Sequence, residues 1–316
     1  MLPILILLGF TAFLGCEKDL EYDLATSQPR LVVNSLFARD SSFRIEVSLS
    51  ATPGQGDQIM SLKNANIALL ENDNQIDDFV LDSLLAAPIN LGGIPNASLA
   101  PTKLYFHRST STKAKTGVEY RIQVDYPGFN EVIASTSVPR QMPAREVDLP
   151  FDAAINVGGR QLNQLSFEID DDGRKENYYA IELLAFEPGR QHNIYEKIEF
   201  FSDEKAFSEN LTVVNGQNTQ GVFYRPENGV YFSNGKFKGT KKRFDLFVDP
   251  MYAQAGYSLT LRLLTLSPEF FNFATSYQKQ RATSGNPFAE PAQVYSNIKG
   301  GLGIFGGYSV SMIEMN

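Results

Sequence analysis

The run Phe43-Arg44-Ile45-Glu46-Val47-Ser48-Leu49-Ser50 alternates apolar and polar residues without a break. Strict period two puts Phe43, Ile45, Val47 and Leu49 on one face, a pattern that a half-buried β-strand satisfies and a helix does not. Residues 30–37 form another β-type run, and similar short runs recur over 65–71, 103–108, 119–126 and 131–138. The pattern is clearest where Tyr120, Ile122, Val124 and Tyr126 share one face. Short strands of this kind, separated by turn residues, predict a sandwich.

Pro139 and Pro143 stiffen the stretch that follows and exclude a central strand there, so residues 139–144 read as a connector. Further strands are predicted at 164–169, 178–186, 197–201, 230–232, 243–248, 257–266 and 302–313. One helix interrupts them. Ser267 can cap it, Pro268 suits its first position and Glu269 complements its N-terminus, while Phe270, Phe273, Ala274 and Tyr277 follow at helical spacing. Ser284-Gly285-Asn286-Pro287 ends it near residue 282. The chain has 316 residues, enough for two ordinary cores. The expected fold is therefore all-β: two immunoglobulin-like β-sandwich domains, 30–138 and 145–316, with a single helix at about 267–282.

A formal net charge of −8 and the lack of a long Lys/Arg run argue against nucleic acid, which requires a clustered positive footprint. The one basic cluster is Lys236, Lys238, Lys241, Lys242 and Arg243. It reads as a solvated hairpin strand, with contact to anionic head groups or an acidic partner as the alternative.

Residues 2–14 are nearly all apolar but too few to cross a bilayer, the length of a signal-peptide core. The segment ends in Phe13-Leu14-Gly15-Cys16, which resembles a lipobox, the site at which bacterial signal peptidase cuts before a diacylated cysteine. Cys16 is the sole cysteine, so it has no internal disulfide partner, and a thioether to lipid accounts for it. Phe13 stands where lipoboxes usually carry Leu, and no Lys or Arg precedes the apolar run, which points to a translation start further upstream. A buried N-terminal strand with a core cysteine is the alternative, but it leaves Glu17-Lys18-Asp19-Leu20-Glu21 unexplained. That acidic stretch resembles the signal carrying Bacteroidota lipoproteins to the cell surface. The organisation expected is a signal peptide at 1–15 and an acidic tether at 16–29, with the body held on the outer membrane.

The tail carries a longer likeness. Leu266-Ser-Pro-Glu-Phe-Phe271, Asn286-Pro-Phe-Ala-Glu-Pro291 and Tyr295-Ser-Asn-Ile-Lys-Gly-Gly-Leu-Gly-Ile-Phe-Gly-Gly-Tyr308, with Pro29-Arg-Leu-Val-Val-Asn34 and the Asp-Asp-Gly to Asn-Tyr-Tyr segment at 171–179, resemble the domain of unknown function 4249 family. The resemblance implies Bacteroidota lipoproteins encoded beside TonB-dependent receptors, and it brings no catalytic residues.

Candidate chemistry is sparse. Gly301, Gly303 and Gly306 fit G-x-G-x-x-G, yet no crossover helix follows in this sequence, so close backbone packing against the helix is expected instead. Asp170 and Asp172, flanking Asp171 before Gly173, are weak cation candidates, because no closing Glu completes an EF-hand and an Asp-Gly turn needs such residues anyway. His107 and His192 lack any metal-ligand spacing. Gly307-Tyr-Ser309-Val-Ser311 lacks the second Gly of a nucleophile elbow. Carboxylate pairs for glycoside hydrolysis leave no spacing signature. Tyr195, Phe207, Phe223 and Tyr224, on the long stretch 188–228, are candidates for ligand or partner contact, unless they wedge that loop onto the sandwich. The apolar loop 84–95 is a second contact candidate. Asp82-Ser83-Leu84 resembles a Bacteroidota O-glycosylation site at Ser83. No cofactor is expected. The functional expectation is a non-enzymatic binding or accessory subunit of a TonB-dependent transporter, against an adhesive envelope protein or an exported hydrolase.

Overall fold

The computed structural model describes residues 28–50, 60–85, 103–146, 154–157, 159–186, 195–208, 221–224, 229–253, 257–283, 290 and 292–315. The first half forms β1 (Leu31–Ala38), β2 (Ser42–Leu49), β3 (Met60–Ser61), β4 (Asn66–Glu71), β5 (Asn74–Asp77), β6 (Phe79–Leu85), β7 (Lys103–Lys113), β8 (Glu119–Asp125) and β9 (Val132–Ser137). The connector leads to β10 (Ala144–Glu146), β11 (Ala154–Val157), β12 (Arg160–Asp170), β13 (Tyr178–Phe186), β14 (Tyr195–Lys197) and β15 (Phe200–Ser202). After the short helix α1 (Lys205–Ser208) come β16 (Val222–Tyr224), β17 (Val230–Ser233), β18 (Lys241–Val248) and β19 (Ser258–Leu266). Helix α2 (Pro268–Thr283) and the long strand β20 (Leu302–Met315) close the chain. The fold is all-β and sandwich-like, and the helix lies within a residue of its expected bounds.

Three sheets arise. The largest runs β14-β13-β19-β20-β1-β2-β7-β6, with β17 on β13 and β3 on β2. A four-stranded sheet, β5-β4-β8-β9, faces its first half, and a six-stranded sheet built on β10-β12-β18-β15-β16 faces its second. Between them lie two cores. The first gathers Leu31, Val33, Phe37, Phe43, Ile45, Val47, Tyr120, Ile122 and Val124, the alternating residues that the sequence placed inward. Tyr120 also reaches back, accepting a hydrogen bond from the Lys115 N–H at 2.9 Å, which ties the loop before β8 to the core. The second core is aromatic: Phe167, Tyr179, Phe207, Phe232, Phe237 and Phe244 pack ring on ring, with Phe207 and Phe244 stacked at 5.2 Å. Each such pair adds about 1 kcal/mol beyond its buried area.

The connector at 139–144 separates most of the two cores, but the tail crosses back. β20 pairs in parallel with β1, from Val32↔Leu302 to Ala38↔Tyr308, and antiparallel with β19 along its second half. Phe305 and Ile298 therefore belong to the first core, and Ile313 and Met315 to the second. At Gly303 the backbone has φ +107, and a Cβ would sit 2.2 Å from the Val33 carbonyl oxygen, so glycine alone lets the parallel pair close. Three residues on, Gly306 admits Phe270 of α2 against the outer face of the sheet.

One expectation needs correction. Residues 197–201, read as a single strand, belong to two: β14 extends the large sheet beside β13, whereas β15 pairs with β18 and β16 in the six-stranded one. Ile198 N–H still donates to Leu183 O, and the chain then crosses so that Phe200 enters the aromatic core. Periodicity cannot register a change of sheet within five residues.

A buried carboxylate braces the first sandwich. Asp77, 8% exposed, accepts the N–H groups of Asp78, Thr110, Ser111 and Thr112 and the hydroxyls of Thr110 and Ser111. Burial alone would raise its pKa, but these donors prevail and hold it far below the usual carboxylate range. A carboxyl with a depressed folded-state pKa contributes stability above its unfolded value of about 4, and that stability drains as pH falls further. Asp77→Asn is expected to cost roughly 2 kcal/mol at neutral pH. It should also flatten the loss of stability below about pH 4, read from denaturant midpoints between pH 7 and pH 2.5.

Candidate functional site

Where the tail crosses back it opens a groove. Lys299 and Ile133 exchange backbone hydrogen bonds, Ile133 N–H to Lys299 O at 3.2 Å and Lys299 N–H to Ile133 O at 2.8 Å. Residues 297–299 thus begin to lay a strand on the outer edge of β9. Two residues earlier the backbone pairing stops and a side chain replaces it. Asn297 Nδ2 donates to Ser135 O (3.2 Å) and Phe305 O (2.8 Å), and its Oδ1 accepts from Phe305 N–H (3.0 Å). Its amide stands in for a strand residue toward β20 while holding the segment off β9. The result is a groove of about 660 Å³ between β9, the start of α2 and residues 295–299.

Its polar groups come from four elements. Glu269 projects from the first turn of α2, which Ser267 caps by accepting the Phe270 N–H at 3.3 Å, and its Oε2 accepts the Thr136 hydroxyl at 2.8 Å. Arg121 reaches in from β8, held by Asp73 of the β4–β5 turn at 2.6 Å. Lys299 and Tyr295 supply the rim, Ser135 and Ser296 hydroxyls lie between, and Ile133, Ala134 and Ile298 give the apolar floor. Burial, then the negative charge of Glu269, pushes the Tyr295 phenol up, so it stays a neutral donor. An open groove carrying a carboxylate, two cations, hydroxyls and an apolar floor is suited to binding a polar molecule or a partner's side chains.

The residues nominated from the sequence fall elsewhere. Phe207 and Tyr224 are 1% and 3% exposed and fill the aromatic core, so the contact reading is corrected for both: each ring is worth more packed than displayed. Phe223 is half-buried against Phe201 and beneath the Arg160 guanidinium at 4.6 Å. Tyr195 alone of the four is well exposed, on the edge strand β14 with its ring against Phe186. Ser83 is half-buried on the opposite edge strand, β6. Cys16, His192 and residues 86–95 of the apolar loop lie outside the described residues.

The carboxylates of the Asp-Asp-Gly turn have protein partners. Asp170 pairs with Lys241 at 3.7 Å and Asp172 with Arg174 at 3.8 Å, both at the surface. Asp171 points inward and is already saturated: Gly173 and Gly239 N–H groups donate to Oδ1, and Asn177, Tyr179 and Asn234 side chains to Oδ2. Gly173, at φ +66, is pressed against Gly239, where a Cβ would lie 2.7 Å from its Cα. Among the described residues no cluster of His, Cys, Asp and Glu is arranged to hold a metal. In the basic cluster, Lys241, Lys242 and Arg243 pair with Asp170, Glu204 and Asp245, as a solvated strand would. His107 is a buried strand residue donating from Nε2 to Lys63 O, and burial holds its pKa down.

Sequence reasoning missed Arg121, Glu269 and the segment 295–299 as one site. The available signal was Tyr295-Ser-Asn-Ile-Lys299, polar residues placed just before a glycine-rich strand.

These features define an all-β sandwich-like protein with a polar groove at the junction of its first sandwich and its C-terminal tail. The chain belongs to the family described as Domain of unknown function (DUF4249), whose model matches residues 17–314. No curated protein matches it.

Proposed function

We propose that this chain is a lipid-anchored outer-membrane protein acting as a non-enzymatic binding or accessory subunit of a TonB-dependent transporter. The observation that carries the reading is the N-terminal run ending Phe13-Leu14-Gly15-Cys16, followed by a polar acidic stretch and then a body whose first strand starts at Leu31. A single acylated cysteine followed by a short polar spacer has the logic of a tether. The groove beside Tyr295 and Lys299 is the surface assigned to ligand or receptor contact. Its mixed charge favours recognition over covalent chemistry.

The test is a gentle pull-down of the tagged, lipidated protein from its native outer membrane, with Cys16→Ala as control, analysed by mass spectrometry. The wild type is expected in the membrane fraction with a stoichiometric β-barrel receptor, and Cys16→Ala is expected to be soluble. Recovery of a correctly anchored protein alone would reject the transporter role in favour of an adhesive one.

A further inference from the structure

The chain enters the body at one end of the sheet and leaves it at the other. β1 begins at Leu31, directly after residues 28–30, and runs parallel to β20 through seven registered pairs. β20 then continues to Met315, beyond the last pair with β1, by roughly 20 Å of strand. The two ends of the folded body therefore point in opposite directions along the same strand axis.

β1 is also an interior strand. Besides the seven pairs with β20 it holds four with β2, from Leu31↔Leu49 to Asn34↔Glu46. Leu31, Val33 and Phe37 anchor it in the first core. At the entry point Arg30 adds a lock on both neighbours. Its guanidinium donates to Gly301 O at 2.7 Å, its N–H donates to Ser50 Oγ, and the Ser50 N–H donates back to Arg30 O, both at 2.9 Å.

A pull on residue 30 away from the body runs along β1. In that direction all the strand's hydrogen bonds are loaded together and must fail together, whereas a pull across a sheet opens them one at a time. We propose that the β1–β20 pair, clamped by β2 and by Arg30, is a mechanical clamp that keeps the body folded when its N-terminal segment is under tension. The inference rests on the reading that this segment is the attachment to the membrane, because only then is tension delivered there.

The test is single-molecule force spectroscopy on the purified chain with Cys16→Ser. One version carries handles at Gln28→Cys and at a cysteine appended after Asn316, loading β1 against β20 in shear. A second carries them at Val80→Cys and Tyr195→Cys, exposed positions on the edge strands β6 and β14, loading the same sheet across its strands. Thermal melts of both versions establish that each is folded. The clamp requires a several-fold higher unfolding force in the first geometry. Equal forces, or the reverse order, overturn it. The measurement uses neither lipid nor receptor, so its failure leaves the anchoring proposal standing, while a pull-down in which the wild type is not anchored removes the source of tension without touching the mechanical result.

Discussion

Asp171→Ala is expected to lower stability by about 4 kcal/mol, because removing one buried acceptor strands several donors at once and each unsatisfied group costs about 1–3 kcal/mol. The side chain is 4% exposed and ties together three segments: its own turn at Gly173, the start of β13 through Asn177 and Tyr179, and the β17–β18 connection through Asn234 and Gly239. Burial opposes ionisation here, but hydrogen bonds from Gly239, Asn177, Tyr179 and Gly173 outweigh it and hold the carboxyl below its ordinary pKa. For a chain of this size the loss corresponds to a fall in Tm of roughly 6 °C. Asp171→Asn should be intermediate, since the amide keeps one acceptor oxygen but aims its own donors at groups that already donate. A melt of the two variants beside wild type decides the matter: an Asp171→Ala protein as stable as wild type would mean that water satisfies these donors and that the turn holds itself.

Asn297→Leu is expected to cost about 3 kcal/mol and to change the groove as well as the fold. Leucine nearly matches asparagine in size but cannot bond the Phe305 N–H and C=O or the Ser135 C=O, so the stitch between β20 and β9 is lost. Phe305 is fully buried in the first core, so the damage should extend to amide exchange along β20 and β1. Hydrogen-exchange mass spectrometry is the measurement. Protection should fall in residues 295–308 and 132–137 while the aromatic core of the second sandwich keeps its own. Uniform protection throughout would show that the Ile133–Lys299 pairing suffices to hold the tail.

The two predictions divide along what was legible in the chain. The Asp-Asp-Gly run was visible as a turn, yet the sequence left open whether its carboxylates face a cation or the protein. Asp171 faces the protein, among five donors that come from residues up to 68 positions away. Asn297 gave no signal of its own, since a lone polar residue before a glycine-rich strand has many uses.

The sequence by itself determined the elements. Strict alternation in 43–50, 119–126 and 257–263 yielded strands, because period two matches an extended backbone. Ser267-Pro268-Glu269 with helically spaced aromatics yielded α2 for equally local reasons. The tertiary structure alone decided which strands are neighbours. The parallel pairing of β1 with β20 joins residues some 270 positions apart, the change of sheet after Lys197 is invisible to periodicity, and Phe207 and Tyr224 proved to be core aromatics. Alternation fixes which face of a strand is buried, because that follows from local geometry. What lies against that face, and hence where a groove opens, is a property of long-range packing.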